Sequence, residues 1–179
     1  SYGAITIQAL HILEEYAESK DLQSNRDWGE AIYNSIKSAY LDRRVQKSLE
    51  DANKFTSKEY AKEKVRQVIN PQVEIDKLMP YAFTLPNGHT THLTVVDKNG
   101  MIVALTQTVG TTMGSKVATP GLGFVYAQTL GGYLGEVKAR DRASSHISPM
   151  IISKDNEPIL ALGAAGGSRI PSSIVAVIS

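Results

Sequence analysis

Apolar residues in the first part of the chain recur every three or four positions. Leu10, Leu13, Tyr16 and Ala17 form one stripe, and Trp28, Ile32, Ile36 and Tyr40 form a second. That is the period of a helix burying one face, and it predicts two helices before residue 50. A third helix is expected to start at Thr56, where Thr56 and Glu59 have the spacing of a capping box. Tyr60, Val65 and Val68 would then face inward, and Asn70 and Pro71 would end the helix.

After Pro86, Asn87 and Gly88 the pattern changes to runs of β-branched and aliphatic residues, Leu93 to Val96 and Met101 to Leu105. These read as two strands, and Asn99 with Gly100 between them offers the positive φ angles of a tight hairpin turn. Met150 to Ser153 and Ile159 to Leu162 repeat the pattern around a turn from Lys154 to Pro158. Near-continuous apolar runs of this kind predict a sheet covered on both faces. Gly163 to Ser168 reads as a glycine-rich loop. Ile170, Ile174 and Val177 predict a closing helix, with Pro171 tolerated in its first turn.

Charge sharpens the division. Residues 1–89 carry 12 Lys and Arg against 13 Asp and Glu, whereas residues 90–179 carry 7 against 5. The first half therefore reads as solvated helices and the second as buried sheet, within a chain of 179 residues expected to form one structural domain. With a net charge of +1 and no long basic run, the chain offers little attraction for phosphate backbones, and nucleic acid is not expected as a partner. No membrane segment is expected, because no run of eighteen apolar residues occurs. With no cysteine, disulfides and thiolate metal sites are excluded. The chain opens on Ser1 rather than Met, so it is expected to be processed or a piece of something longer.

The most informative stretch is PNGHTTHLTVVD, residues 86–97, where a turn delivers Thr90 to the start of a strand. A loop holding the Thr90 hydroxyl against the His89 carbonyl would favour an acyl shift from nitrogen to oxygen. Hydrolysis of the resulting ester would release Thr90 as a new N-terminus. A free α-amine titrates near neutral pH, so one residue would supply both nucleophile and base. Thr90 and Thr91 equally suit an ordinary strand start, which favours β-branched residues.

Three other features bear on that choice. Thr108 is polar on the returning strand and within reach of Thr90 across the hairpin. Gly166 and Gly167 free backbone N–H groups to point at an oxyanion, although a plain strand-to-helix turn uses the same residues. Ser144 and Ser145 in ASSHISP pair two hydroxyls that would suit a substrate carboxylate or a turn.

Taken in order, these segments resemble the γ-glutamyltransferase family of N-terminal nucleophile hydrolases, with its acylase-like relatives. SYGAITIQALHILEEY, AIYNSIKSAYLDRR and SKEYA are similar to the helical region before the family's cleavage site. HTTHLTVVDKNG is similar to its small-subunit start. TTMGSKVATPGLGF, SSHISPMII and GAAGGSRI are similar to its later strand, paired-serine and paired-glycine motifs.

The resemblance implies an α+β fold, the four-layer αββα sandwich. Residues 1–89 would belong to the large-subunit region and 90–179 to the small catalytic one. It implies cleavage between His89 and Thr90, Thr90 as nucleophile, Thr108 holding it, and Gly166 and Gly167 as the oxyanion hole. Ser144 and Ser145 would bind the carboxylate end of a γ-glutamyl group. The expected partners are a γ-glutamyl or other acyl-amide substrate and the two cleavage fragments as a heterodimer, with no cofactor. Secretion of bacterial members makes a periplasmic or extracellular location the family's implication, with no leader visible here.

One pocket departs from the family. Where typical members bind the glutamyl amino and carboxylate groups through an Asn, a Gln and an Asp, this chain places Gly110, Thr129 and Gly132. Loss of the acidic partner removes a charge-assisted contact to an ammonium group. A related acyl group, or a family member that has lost turnover and serves as a binding protein, are the two readings this allows. A metal hydrolase built on His89 and His92 is disfavoured, because three-residue spacing turns their rings to opposite faces of a strand. His11 and His146 add no ligand-like spacing. Tyr33, Tyr40 and Tyr60 read as packing residues.

Overall fold

The computed structural model describes residues 2–69, 89–129, 137–140 and 145–179. Four of the sequence expectations lie outside the described residues: the Pro86 to Gly88 turn, the Asn70–Pro71 helix end, Gly132 and Ser144. The Val68 side chain does too. The chain is a mixed α and β fold, and its contacts group it into two compact units. One comprises Gly3–Thr84 with Val175–Ser179, the other Ser1–Tyr2 with Leu85–Ile174.

The first unit is helical: α1 (Gly3–Ser19), α2 (Asn25–Val45), α3 (Leu49–Phe55) and α4 (Lys58–Ile69). Helices α2 and α4 both pack on α1 around Ile12, Leu13, Tyr16, Ala31, Ala61 and Val65. The buried stripe of α2 is Ala31, Ser35, Ser38, Ala39 and Asp42, one position round from the bulky stripe expected; Trp28 stays 38% exposed. Small residues let the two helix backbones approach closely, and the larger Ile32 and Ile36 are left half-buried at the margin. On α1 the buried face likewise takes in Ile5, Ala9 and Ile12, while Leu10 and Ala17 are only half-buried.

The caps also differ from expectation. Ser24 with Asp27, and Ser48 with Asp51, form reciprocal capping boxes at α2 and α3. Thr56 closes α3 instead of opening α4, its hydroxyl donating to the Ala52 carbonyl at 2.9 Å. The Ser57 hydroxyl accepts from the Tyr60 N–H at the start of α4. Aspartate at the third helical position does the work that a search for Glu or Gln misses.

The second unit holds two antiparallel hairpins, β1 (Thr90–Val96) with β2 (Ile102–Thr108), and β3 (Met150–Lys154) with β4 (Glu157–Leu162). Strand β4 lies against both β1 and β2. In the first turn only Gly100 takes a positive φ; Asp97 Oδ1 accepts from the N–H groups of Asn99 and Met101, so a side chain replaces the second left-handed residue. In the second turn Asp155 and Asn156 both take positive φ, which shortens the loop to two residues.

Among the described residues the expected covering of both sheet faces is not found. Leu93, Val95, Val103 and Leu105 are exposed on one face of the first hairpin, as are Ile151 and Ile159 on the second. Alternation along β1 instead turns Thr90, His92 and Thr94 to the face shared with Thr106 and Thr108. A short 3-10 turn, Gly167–Arg169, leads into α5 (Ile170–Ile178). Ile170, Pro171, Ile174 and Val175 are buried there, while Val177 is exposed. No helix among the described residues is long and apolar enough to cross a membrane.

Candidate active site

The β1–β2 register sets Thr90 directly opposite Thr108, and the Thr90 Oγ1–H donates to Thr108 Oγ1 at 3.2 Å. The same Thr108 oxygen accepts the Gly110 N–H at 3.0 Å. Both of its lone pairs are thereby engaged, and one of them draws on the Thr90 proton. This is the polarity required to make a threonine hydroxyl more nucleophilic.

The ladder slips by one residue at the same place. The register would set Val109 opposite His89, yet the His89 N–H donates to the Gly110 carbonyl at 3.0 Å. Gly110 absorbs the slip with φ +83°, and a Cβ there would run into the backbone carbonyl of Gln128. The Gln128 N–H donates to Val109 and its side-chain oxygen accepts from Thr111, which holds this bend from the other side. The His89 ring is anchored through Nε2 to Thr112 Oγ1 at 2.7 Å. The His89–Thr90 peptide therefore sits at a register break with the residues on both sides of it tied down.

The sequence weighs His92 only as a metal ligand, and the structure gives it another place. Its Nδ1 meets Thr106 Oγ1 at 2.8 Å and its Nε2 meets Thr94 Oγ1 at 3.0 Å, so both ring nitrogens are committed to hydroxyls. The signal was the alternation of polar residues at positions 90, 92 and 94 with residues 106 and 108 opposite them, inside otherwise aliphatic strands.

Gly166 and Gly167 take φ of +136° and +59°, and the Arg169 N–H closes the turn on the Gly166 carbonyl at 3.2 Å. Gly163, just before them, lies against the His92 ring. Ser145 is fixed by its neighbours: its carbonyl accepts from the Tyr2 N–H and its hydroxyl from the Ile147 N–H. Tyr2 also stacks edge-on against His146. Thr129 is half-buried beside Gly110, its methyl 3.4 Å from where a Gly110 Cβ would lie. The structure thus brings together Thr90, Thr108, Gly110, Thr129 and His89. It links the glycine segment to them through His92, and Ser145 makes its hydrogen bonds elsewhere. An open depression of 420 Å³ beside Thr108 is lined by Thr91, Gln107, Val109 and Ala127 among others, on the side of the hairpin away from the Thr90 side chain.

The chain is similar to several known proteins. The glutathione hydrolase proenzyme of Escherichia coli K12 is 33% identical over 99% of the chain, which covers 35% of that protein. The acylase ACY 1 proenzyme of Pseudomonas sp. SE83 is 27% identical over the whole chain, which covers 34% of it. Among solved structures, the γ-glutamyltranspeptidase of Pseudomonas nitroreducens complexed with L-DON is 32% identical. That match covers 49% of this chain and 54% of that one, with a TM-score of 0.44. The chain spans about a third of the length of the curated relatives it matches. The family model for γ-glutamyltranspeptidase matches residues 1–179, and the chain belongs to that family.

Proposed function

We propose that this chain carries the processing site and nucleophile of a self-cleaving acyltransferase or amidohydrolase of the γ-glutamyltranspeptidase type. The observation that carries the reading is the Thr90–Thr108 hydroxyl pair at the register break after His89. In processing, Thr90 Oγ1 attacks the His89 carbonyl carbon, the peptide C–N bond breaks, and the nitrogen takes up a proton as the Thr90 amine. Water then hydrolyses the ester, leaving a carboxylate on His89 and restoring the Thr90 hydroxyl. Thr108 accepts the hydroxyl proton's hydrogen bond at the outset and keeps the oxygen aimed after cleavage.

In turnover the Thr90 amine takes the proton as its hydroxyl attacks the substrate amide carbon. The amine leaving group departs, and water or an acceptor amine resolves the acyl-Thr90 ester. Gly166 and Gly167 supply N–H donors for the tetrahedral oxyanion, and Ser144 and Ser145 bind the carboxylate end of the acyl group. Residues 1–89 and 90–179 then belong to the large and small subunits of a heterodimer, and the whole protein forms the four-layer αββα sandwich. The names of the relatives, glutathione hydrolase and acylase, support a substrate that is a γ-glutamyl amide or a related acyl amide. No cofactor takes part in this sequence of steps.

The altered pocket favours the second of those substrates. Gly110 stands where the family carries an Asn, and its backbone has no room for any side chain. The recognition of a glutamyl amino group is therefore weakened, while the nucleophile pair is retained. Intact mass spectrometry of the full-length protein tests the reading. Wild type should split between His89 and Thr90, and Thr90→Ala should remain whole and inactive toward a γ-glutamyl or simple acyl anilide. A wild-type chain that stays whole for days would leave the binding-protein alternative in its place.

A further inference from the structure

We propose that His92 is a positioning residue that sets the glycine segment 163–167 against the strand carrying Thr90, an inference that rests on the acyl-transfer reading above. His92 lies two residues beyond Thr90 and so on the same face of β1. Its ring is clamped at both nitrogens, by the buried Thr106 hydroxyl and by Thr94. Hydroxyls both donate and accept, so this clamp holds either neutral tautomer. A ring engaged at both ends acts through its shape and place rather than as a base.

That shape occupies the volume a side chain would need at Gly163. The three nearest atoms to a Cβ built there are Nδ1, Cε1 and Cγ of His92, all inside contact distance. The position differs in kind from Gly110 and Gly114, where the obstacles are main-chain carbonyls and φ is positive. At Gly163 φ is not in the left-handed region, so its backbone suits any residue. The nearest obstacles to a side chain there all belong to His92. The chain thus carries a knob on the nucleophile strand and a matching hollow at the end of β4, three residues before Gly166.

The consequence concerns geometry in the transition state. Oxyanion donors act only when placed close to the developing charge, and misplacement by about 1 Å can cost on the order of a hundredfold in rate. A methyl group at Gly163 must push either the His92 ring or the glycine segment aside. Removing the ring should make that methyl group harmless.

The test is a double-mutant cycle in the full-length protein, with Gly163→Ala, His92→Ala and the pair. Cleavage before Thr90 is followed by intact mass, and kcat and KM are measured per titrated active site with γ-glutamyl-p-nitroanilide or a simple acyl p-nitroanilide, whichever the wild type turns over. In the wild-type background Gly163→Ala should lower kcat by about tenfold or more with KM within about twofold. In the His92→Ala background the same change should alter kcat by less than about twofold. Loss of fold alone would reduce the number of titrated sites and leave kcat per site unchanged. Equal damage in both backgrounds, or none in either, overturns the inference. Should Gly163→Ala fail to accumulate, accumulation of an active double variant supports the inference, and failure of the double variant as well overturns it. A wild type that neither cleaves nor turns over defeats the acyl-transfer reading itself, whereas an active wild type without coupling defeats only the role of His92.

Discussion

Thr90 and Thr108 face each other across an antiparallel pair with their hydroxyl oxygens 3.2 Å apart, Thr90 donating and Thr108 accepting. Thr108 cannot turn away easily, because its oxygen also holds the Gly110 N–H. In the proposed processing reaction its hydroxyl, not its methyl, would be the working part. Thr108→Ala should slow cleavage before Thr90 by about a hundredfold or more, the scale of a lost proton-directing partner, whereas Thr108→Ser should retain most of the rate. The half-time of cleavage, read by intact mass, checks both. Equal slowing by both changes would assign Thr108 to packing.

The sequence resemblance sets Gly110 where typical members carry an Asn, and restoring that Asn is a structural question before a chemical one. At φ +83°, with the Gln128 carbonyl where a Cβ would go, Gly110→Asn must displace the bend that follows Thr108. A strained left-handed position costs about 1–3 kcal/mol, and the collision adds to it. Gly110→Asn should therefore lower the melting temperature and slow cleavage, without improving KM for a γ-glutamyl anilide. An improved KM at unchanged stability would show that this one side chain recovers glutamyl binding despite Thr129 and Gly132.

The two capping boxes offer a check on the helical unit. Ser24 and Ser48 each accept an N–H from the aspartate three residues on, and each aspartate accepts back from the cap. These hydrogen bonds hold Asp27 and Asp51 below the usual carboxylate range, with the Ser24 hydroxyl the main cause for the first and the Lys47 and Ser48 N–H groups for the second. Ser24→Ala and Ser48→Ala should each cost about 1 kcal/mol in denaturant unfolding. The loss should be greater at neutral pH than at a pH below the lowered folded pKa values, where the carboxylates are protonated and no longer accept as anions.

What was legible in the sequence followed from local chemistry. Period and turn residues placed α1, α2, α4 and both hairpins but not the short α3, and the HTTH segment pointed to a candidate nucleophile because a threonine at a strand start after a turn has a chemical consequence. Helix faces were misplaced where size overruled hydrophobicity: α2 buries Ala31, Ser35 and Ala39 and leaves Trp28 outside. The slip between His89 and Gly110 depends on pairing between β1 and β2, and the fit of His92 to Gly163 on packing of one hairpin against the other, which no single strand encodes. A search for ligand spacing set His92 aside as a poor metal ligand, although its alternation with Thr90 and Thr94 marked one polar face.

The interior of the helical unit contains a polar group that the apolar pattern also concealed. Asp42, buried on α2, accepts from Gln8 Nε2 at 2.6 Å and pairs with Lys64 Nζ at 2.9 Å. Burial alone would lower the Lys64 pKa, but hydrogen bonding and the charge of Asp42 outweigh it and raise the pKa above the usual lysine range. Burial, with the charge of Asp42 adding to it, likewise raises the Tyr60 phenol. A folded-state pKa raised above its unfolded value contributes stability that is complete below the unfolded pKa and lost as pH rises through the folded one. Both groups have the same sign, so stability should hold through neutral pH and fall from about pH 10 upward. Lys64→Ala should cost about 2 kcal/mol, because it strands a buried carboxylate. That is less than for a fully enclosed pair, since the Lys64 side chain keeps 20% of its surface in water. Lys64→Ala with Asp42→Ala should recover part of that loss and flatten the alkaline decline. Urea unfolding at pH 7 and at pH 10.5 separates the outcomes, and a single variant no less stable than the double would show that Asp42 is satisfied by Gln8 alone.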